Sequence, residues 1–215
     1  MSTFVFFHVG DDLFWPKTLV HSLRLSNPSS EIVMVSDSGT PPLDGVDRRV
    51  DIRGSREEIM LMRMRGFAAA GCEHPAMYLD TDMQVIGRID PTQILGELDA
   101  VLCRRSFHGD ALFNYKFRNM GFDEFAGKSM NEVFPILACA TVTRNQIPWV
   151  RMSDLVEAMD KRFRKWFGDQ HALKLYALES KKAGFLDEKD YACLPEYIGA
   201  SAYPPKIVHF KGRRK

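Results

Sequence analysis

Short contiguous apolar runs alternate along this chain with stretches in which apolar positions recur every three or four residues. The runs at 4–9 (Phe-Val-Phe-Phe-His-Val), 31–35, 100–103 and 133–142 have the length of buried strands, and a weaker one lies near 49–52. The first two end in turn signals, Gly10-Asp11-Asp12 and Ser36-Asp37-Ser38-Gly39. Helical spacing places Leu19, Val20 and Leu23 on one face over 13–25, and Asn27-Pro28 stops that helix. A second helix is predicted over 55–70, with Met60, Met64, Phe67 and Ala68 as its apolar stripe and Ser55 and Glu58 as a capping box. Shorter signals mark a helix at 91–98. Met152, Leu155, Val156, Met159, Phe163 and Trp166 follow helical spacing over four turns and read as packing against the sheet. A further helix opens at Gly168-Asp169-Gln170 and runs to about 179, and a last apolar run covers 206–210. Strand, helix and strand in alternation predict an α/β fold: a Rossmann-like, mostly parallel central sheet flanked by helices, in one domain.

The run at 76–79 is the one that carries chemistry. It continues into Asp80-Thr81-Asp82 and resumes as Met83-Gln84-Val85-Ile86 before Gly87. In an extended chain successive side chains alternate, so Asp80 and Asp82 point to the same side and Thr81 away from it. At the C-terminal end of a central strand this places two carboxylates in the crevice where α/β sheets bind ligands. Side by side they call for a cation, and an all-oxygen pair suits Mg²⁺ or Mn²⁺; the bland alternative is two solvated turn aspartates. On the preceding helix, Arg56 and Arg63 flank the apolar stripe and can reach the sheet edge beside Asp80, whereas Arg65 lies on the far side. His209, on the final run, is either a core histidine or a third metal ligand, and the basic groups Arg63, Lys211 and Lys215 suit a diphosphate.

Composition narrows the partners. With 45% apolar and 27% charged residues and a net charge of +1, the chain is an ordinary globular protein and not a general nucleic-acid binder. Its four cysteines are scattered without Cys-x-x-Cys spacing, and no apolar stretch reaches membrane-span length, so reduced thiols and a cytoplasmic location are expected. Residues 106–130 mix aromatic, basic and glycine residues without a period, the pattern of a functional loop or lid. The aromatic residues between Phe107 and Phe125 suggest a platform for a saccharide or lipid-linked acceptor, or a contact in an oligomer.

Tyr-Leu-Asp80-Thr-Asp82-Met-Gln-Val resembles the Asp-x-Asp motif of GT-A-fold glycosyltransferases, and His209-Phe-Lys-Gly212-Arg-Arg-Lys215 is similar to the His-x-x-Gly-x-x-Lys signature of their family-8, glycogenin-like type. The likeness extends to the N-terminal strand, through Val9, and the Gly10-Asp11-Asp12 that follows it; to Ser22-Leu23 and Asn27-Pro28; to Arg63; and to Gly168-Asp169-Gln170. The Asn-x-Gly expected on the strand beneath the acceptor is replaced by Ala138-Cys139-Ala140. The resemblance implies a single glycosyltransferase domain with a donor half to about residue 105 and an acceptor half after it. It implies transfer of a sugar from a nucleoside-diphosphate donor, uridine-linked, to a hydroxyl of a saccharide, lipid-linked or protein acceptor, with retained configuration. Asp80, Asp82 and His209 would hold the metal. Val9, Asp11, Asp37, Arg63, Lys211, Gly212 and Lys215 would hold the donor, and Asp169 and Gln170 would sit at its sugar.

Several readings of single residues remain open beside these. Asp169, after glycine and before a helix, is equally an N-cap, and Asp11 and Asp37 are equally turn aspartates. A haloacid-dehalogenase-type phosphatase also places Asp-x-Asp after an apolar strand, but Gln84 and Leu173 stand where its threonine or valine and its last aspartate belong. A catalytically inactive nucleotide-sugar-binding protein of the same fold is the third reading.

Overall fold

The computed structural model describes residues 2–200 and 203–211. Nine strands and eight α-helices are found among them. In chain order they are β1 (Thr3–Phe7), α1 (Phe14–Ser26), β2 (Glu31–Ser36), β3 (Arg48–Asp51), α2 (Ile59–Ala69), β4 (Ala76–Leu79), β5 (Met83–Val85), α3 (Pro91–Leu95), β6 (Ala100–Arg104), α4 (Met130–Val133), β7 (Ile136–Thr143), α5 (Ile147–Ala158), α6 (Lys161–Lys165), α7 (Gly168–Glu179), β8 (Ala183–Asp187), α8 (Glu188–Tyr191) and β9 (Ile207–His209). Seven strands form the central sheet in the order β3-β2-β1-β4-β7-β6-β8, and β5 and β9 form a separate ribbon. The sheet is parallel except for β7, which runs antiparallel to both neighbours.

Alternation along the buried strands distributes their side chains to two layers. Phe4, Phe6, Met77 and Leu79 face one side and pack with Leu19, Val20 and Leu23 of α1. Val5, Ala76 and Tyr78 face the other, against Leu61, Met64 and Phe67 of α2 and Trp149, Met152 and Val156 of α5. Burying one such large side chain contributes about 1.5–3 kcal/mol, so both faces are covered by necessity. Gly66 lets α2 come close to the sheet: a Cβ there would lie 2.5 Å from Val35 Cγ1. Nothing larger would allow this approach.

Four sequence expectations are corrected. The apolar stretch around the paired aspartates is two strands in different sheets, because residues 80–82 turn between β4 and β5. Ser55 caps a 3-10 turn by accepting the Glu57 N–H, and Glu58 pairs with Arg164, so the capping box is absent. The predicted four-turn helix breaks after Ala158, where Met159 is extended and Asp160 caps α6. The segment predicted as strand from 133 begins as the short helix α4, which makes a capping box of its own between Ser129 and Glu132. Between β6 and β7, Phe113, Phe122, Val133 and Phe134 form a small, mainly aromatic core with Phe163 of α6, so most rings of that segment face each other.

Candidate functional site

The turn after β4 is held from three sides. The Asp80 N–H continues the sheet by donating to Cys139 O (2.9 Å). Antiparallel pairing of β5 with β9 sets Met83 opposite His209, and the Phe210 N–H donates to Asp82 O (2.9 Å). From below, the Val85 N–H donates to Ser22 Oγ (3.0 Å) and the Ile89 N–H to Asn27 Oδ1 (2.9 Å), so α1 anchors the strand that follows the turn. This gives Ser22 and Asn27 a structural role.

Asp80, Asp82 and His209 thereby offer one ligand atom each, all within 4.8 Å of one another. His209 Nε2 lies 3.3 Å from Asp82 Oδ1 and 4.0 Å from Asp80 Oδ2. Asp80 divides its oxygens, since Oδ1 is 2.5 Å from Arg63 Nη2. Two carboxylates and an imidazole are a donor set for a hard or borderline divalent ion, and Asp82 and His209 are buried at 8% and 4% exposure. The residues fit such an ion. Burial alone would lower the His209 imidazole, but the adjacent Cys139 and the hydrogen-bonded Asp82 carboxylate outweigh it and raise the group to about 10. An ion bound there must displace that proton.

Arg63 is the charge at the centre of the floor. Its guanidinium donates to Ala138 O (2.6 Å) and to Asp169 Oδ2 (3.1 Å) while contacting Asp80, and it lies 5.2 Å from the Phe67 ring centroid. Burial opposes its charge, yet Asp80 and Asp169 hold its pKa above the ordinary value. Burial also pushes the Asp169 carboxyl up, against the pull of Arg63. The N-cap reading of Asp169 is not what the structure shows: Phe167 occupies that position in the left-handed region (φ 64°), and Asp169 sits in the first turn of α7. Gln170 Oε1 accepts from Arg105 (2.9 Å), which also donates to Phe134 O. Asp80, Asp82, Arg63, Asp169 and Gln170 share an open cleft of about 290 Å³ with Trp166 and Phe167.

The remaining predicted residues fall into three groups. Val9, Asp11 and Asp37 follow β1 and β2 at the same end of the sheet. Asp37 accepts from Thr40 Oγ1 (2.6 Å) and Arg56 (2.8 Å), which hold its carboxyl below the usual range. Arg56 therefore serves Asp37, and of the two arginines only Arg63 reaches Asp80. Lys211 Nζ pairs with Glu188 Oε1 (3.0 Å). Gly212 and Lys215 lie outside the described residues.

Glu188 was not legible beforehand. In Leu-Asp-Glu-Lys-Asp it reads as one of several solvated charges, but it is fully buried, and its Oε2 accepts the N–H groups of Ser106 and Phe107 (2.7 Å each). It joins the segment after β6 to Lys211, two residues beyond β9. Glu188→Ala leaves a cation and two amides without their acceptor. Urea denaturation is expected to show a loss of about 3 kcal/mol, and a loss under about 0.5 kcal/mol, the level of an ordinary surface change, would deny Glu188 this role.

No protein-family model matches the chain, and no curated protein sequence is found similar to it. Among solved structures it resembles the crystal structure of the glycosyltransferase GlyE of Streptococcus pneumoniae TIGR4, at 20% identity and a TM-score of 0.61. The match covers 99% of this chain and 55% of GlyE, so the chain spans about half the length of that protein. The likeness is one of fold: the seven-stranded, mostly parallel sheet with its flanking helices is a glycosyltransferase fold. No helix among the described residues is long and apolar enough to cross a membrane.

Proposed function

We propose that this chain is a metal-dependent glycosyltransferase acting on a nucleoside-diphosphate sugar, with a hexosyl group on UDP as donor and retention of configuration. The observation that carries the reading is the cluster of Asp80, Asp82 and His209 at the C-terminal end of β4, within a glycosyltransferase fold. Mn²⁺ or Mg²⁺ held by those three residues would supply positive charge to the leaving diphosphate. The chain's own groups do the rest. Val9, Asp11 and Asp37 stand at the ends of β1 and β2, where a nucleoside would lie. Arg63 adds fixed positive charge in a water-poor floor, where it acts more strongly than on the surface. Asp169 and Gln170 line the same cleft as the pair, where the donor sugar would sit. Lys211, with Gly212 and Lys215 beyond it, would approach the diphosphate from the tail, Lys211 exchanging Glu188 for phosphate. Commitment of Asp80 Oδ1 to Arg63 disfavours the phosphatase reading, in which that aspartate would be a free nucleophile.

The test is release of UDP from a panel of UDP-hexoses in the presence of Mn²⁺, with and without simple sugar acceptors. At least one donor is expected to be turned over, and EDTA to stop the reaction. Binding of UDP with Mn²⁺ but no turnover of any donor would instead favour the inactive binding protein.

A further inference from the structure

Trp166 was predicted as a core residue of a long helix. The break at Met159 and Asp160 moves it instead to the corner between α6 and α7, where its backbone is extended and its half-buried ring lines the cleft beside Asp80, Asp82 and Asp169. That corner is rigidly specified. Phe167 holds a left-handed backbone (φ 64°), and at Gly168 a Cβ would lie 2.2 Å from Phe163 O. A bulky residue in this backbone region is costly and persists only where surroundings over-determine it. Here the surroundings are aromatic: Phe167 stacks on Phe134 (centroids 4.8 Å, 17°) and touches Phe117 (5.0 Å). Phe117 also braces Trp166 (5.5 Å), and the Arg118 guanidinium lies over the indole at 4.2 Å. The ring is thus fixed from the β6–β7 segment and presented to the cleft.

Resting on the glycosyltransferase reading, we propose that Trp166 is the stacking wall of the acceptor subsite and that the acceptor is a saccharide. A pyranose presents an apolar face of C–H groups that matches the negative face of an indole. The cleft runs from Phe7 at the end of β1 and Met60 of α2, the side toward which a nucleoside would extend, to Trp166. Phe117 and Arg118 brace the indole from the segment between β6 and β7, on the other side of β4, and that bracing favours the acceptor for it. In this proposal the aromatic acceptor platform expected within 107–125 is supplied by Trp166, with Phe117 packed beside it and the Arg118 guanidinium over one face of the indole, so the saccharide would take the other face.

The test uses the side-chain indole N–H signals of the full chain, which has three tryptophans, of which Trp149 is buried. Trp166→Phe identifies the Trp166 signal. Methyl α- and β-hexopyranosides and short oligosaccharides of the same sugars are then titrated. At least one is expected to shift the Trp166 signal saturably. Trp166→Ala is expected to weaken that saccharide at least about tenfold while UDP affinity with Mn²⁺ changes less than about twofold, and Trp166→Phe to retain most saccharide binding. An unmoved Trp166 signal with every saccharide, or a Trp166→Ala effect confined to UDP-sugar binding, overturns the proposal. If UDP fails to bind the unaltered chain but a saccharide shifts Trp166, the donor assignment falls and the stacking site stands.

Discussion

Asp82→Asn is expected to weaken Mn²⁺-dependent UDP binding by more than about 100-fold, beyond the 10- to 100-fold typical of losing an outer partner of a metal ligand. Asp82 is the carboxylate closest to His209, 3.3 Å from its Nε2, and it shares the buried end of the cluster. An amide oxygen in its place keeps the shape and removes the charge that the ion requires. Calorimetry of UDP with Mn²⁺, with EDTA and with the variant reads this directly. The same titration carries a second signature. The pKa of the His209 imidazole is raised beside the Asp82 carboxylate, so metal binding to the unaltered chain is expected to release a proton. Affinity should rise by up to about tenfold per pH unit across the neutral range, and the heat should depend on the buffer. UDP binding that survives both EDTA and Asp82→Asn would remove the metal cluster from the donor site.

Arg63→Met is expected to be the most destabilising change at the site, by about 3–5 kcal/mol, the usual cost of leaving a buried charge without its partner. Asp169 bears most of the consequence, since its side chain is 7% exposed against 28% for Asp80. Burial already raises the native pKa of Asp169 above its ordinary 3.8, with Arg63 pulling it back down. A carboxyl raised in the folded state contributes stability that is fully present below its unfolded pKa and is lost as pH rises through its folded value. Without Arg63 the folded value climbs further, so the deficit of the variant should be smallest at about pH 4 and widen toward neutrality. Asp169→Asn added to Arg63→Met should recover much of the loss. Equal deficits at all pH values in urea denaturation, with no recovery in the double variant, would show that Arg63 acts by packing alone.

The glycine in front of Asp169 shows where local pattern is sufficient. The helix predicted from Gly168 to about 179 is found as Gly168–Glu179, because its signals are all within a few residues. Trp166 shows where it fails. Its helical phase with Met152 and Met159 is real, but the backbone turns out at Met159 and a periodic count cannot see that break. Residues 80–82 fail differently: the two aspartates converge, as expected, through a turn and not through strand alternation. Glu188 had no signal at all, because burial of a carboxylate among charged neighbours depends on which distant amides and amines are folded onto it.

The sequence by itself determined the α/β sheet, its two apolar faces and the paired aspartates of the candidate metal cluster, since each follows from short-range periodicity and the chemistry of single side chains. The tertiary structure decided which of those side chains meet. Pairing of β5 with β9 brings His209 to Asp82, the close approach of α2 seats Arg63 between Asp80 and Asp169, and the α6–α7 corner delivers Trp166 to the cleft. Those contacts join residues far apart in the chain, and they form because burying both faces of the sheet leaves few ways to arrange its helices.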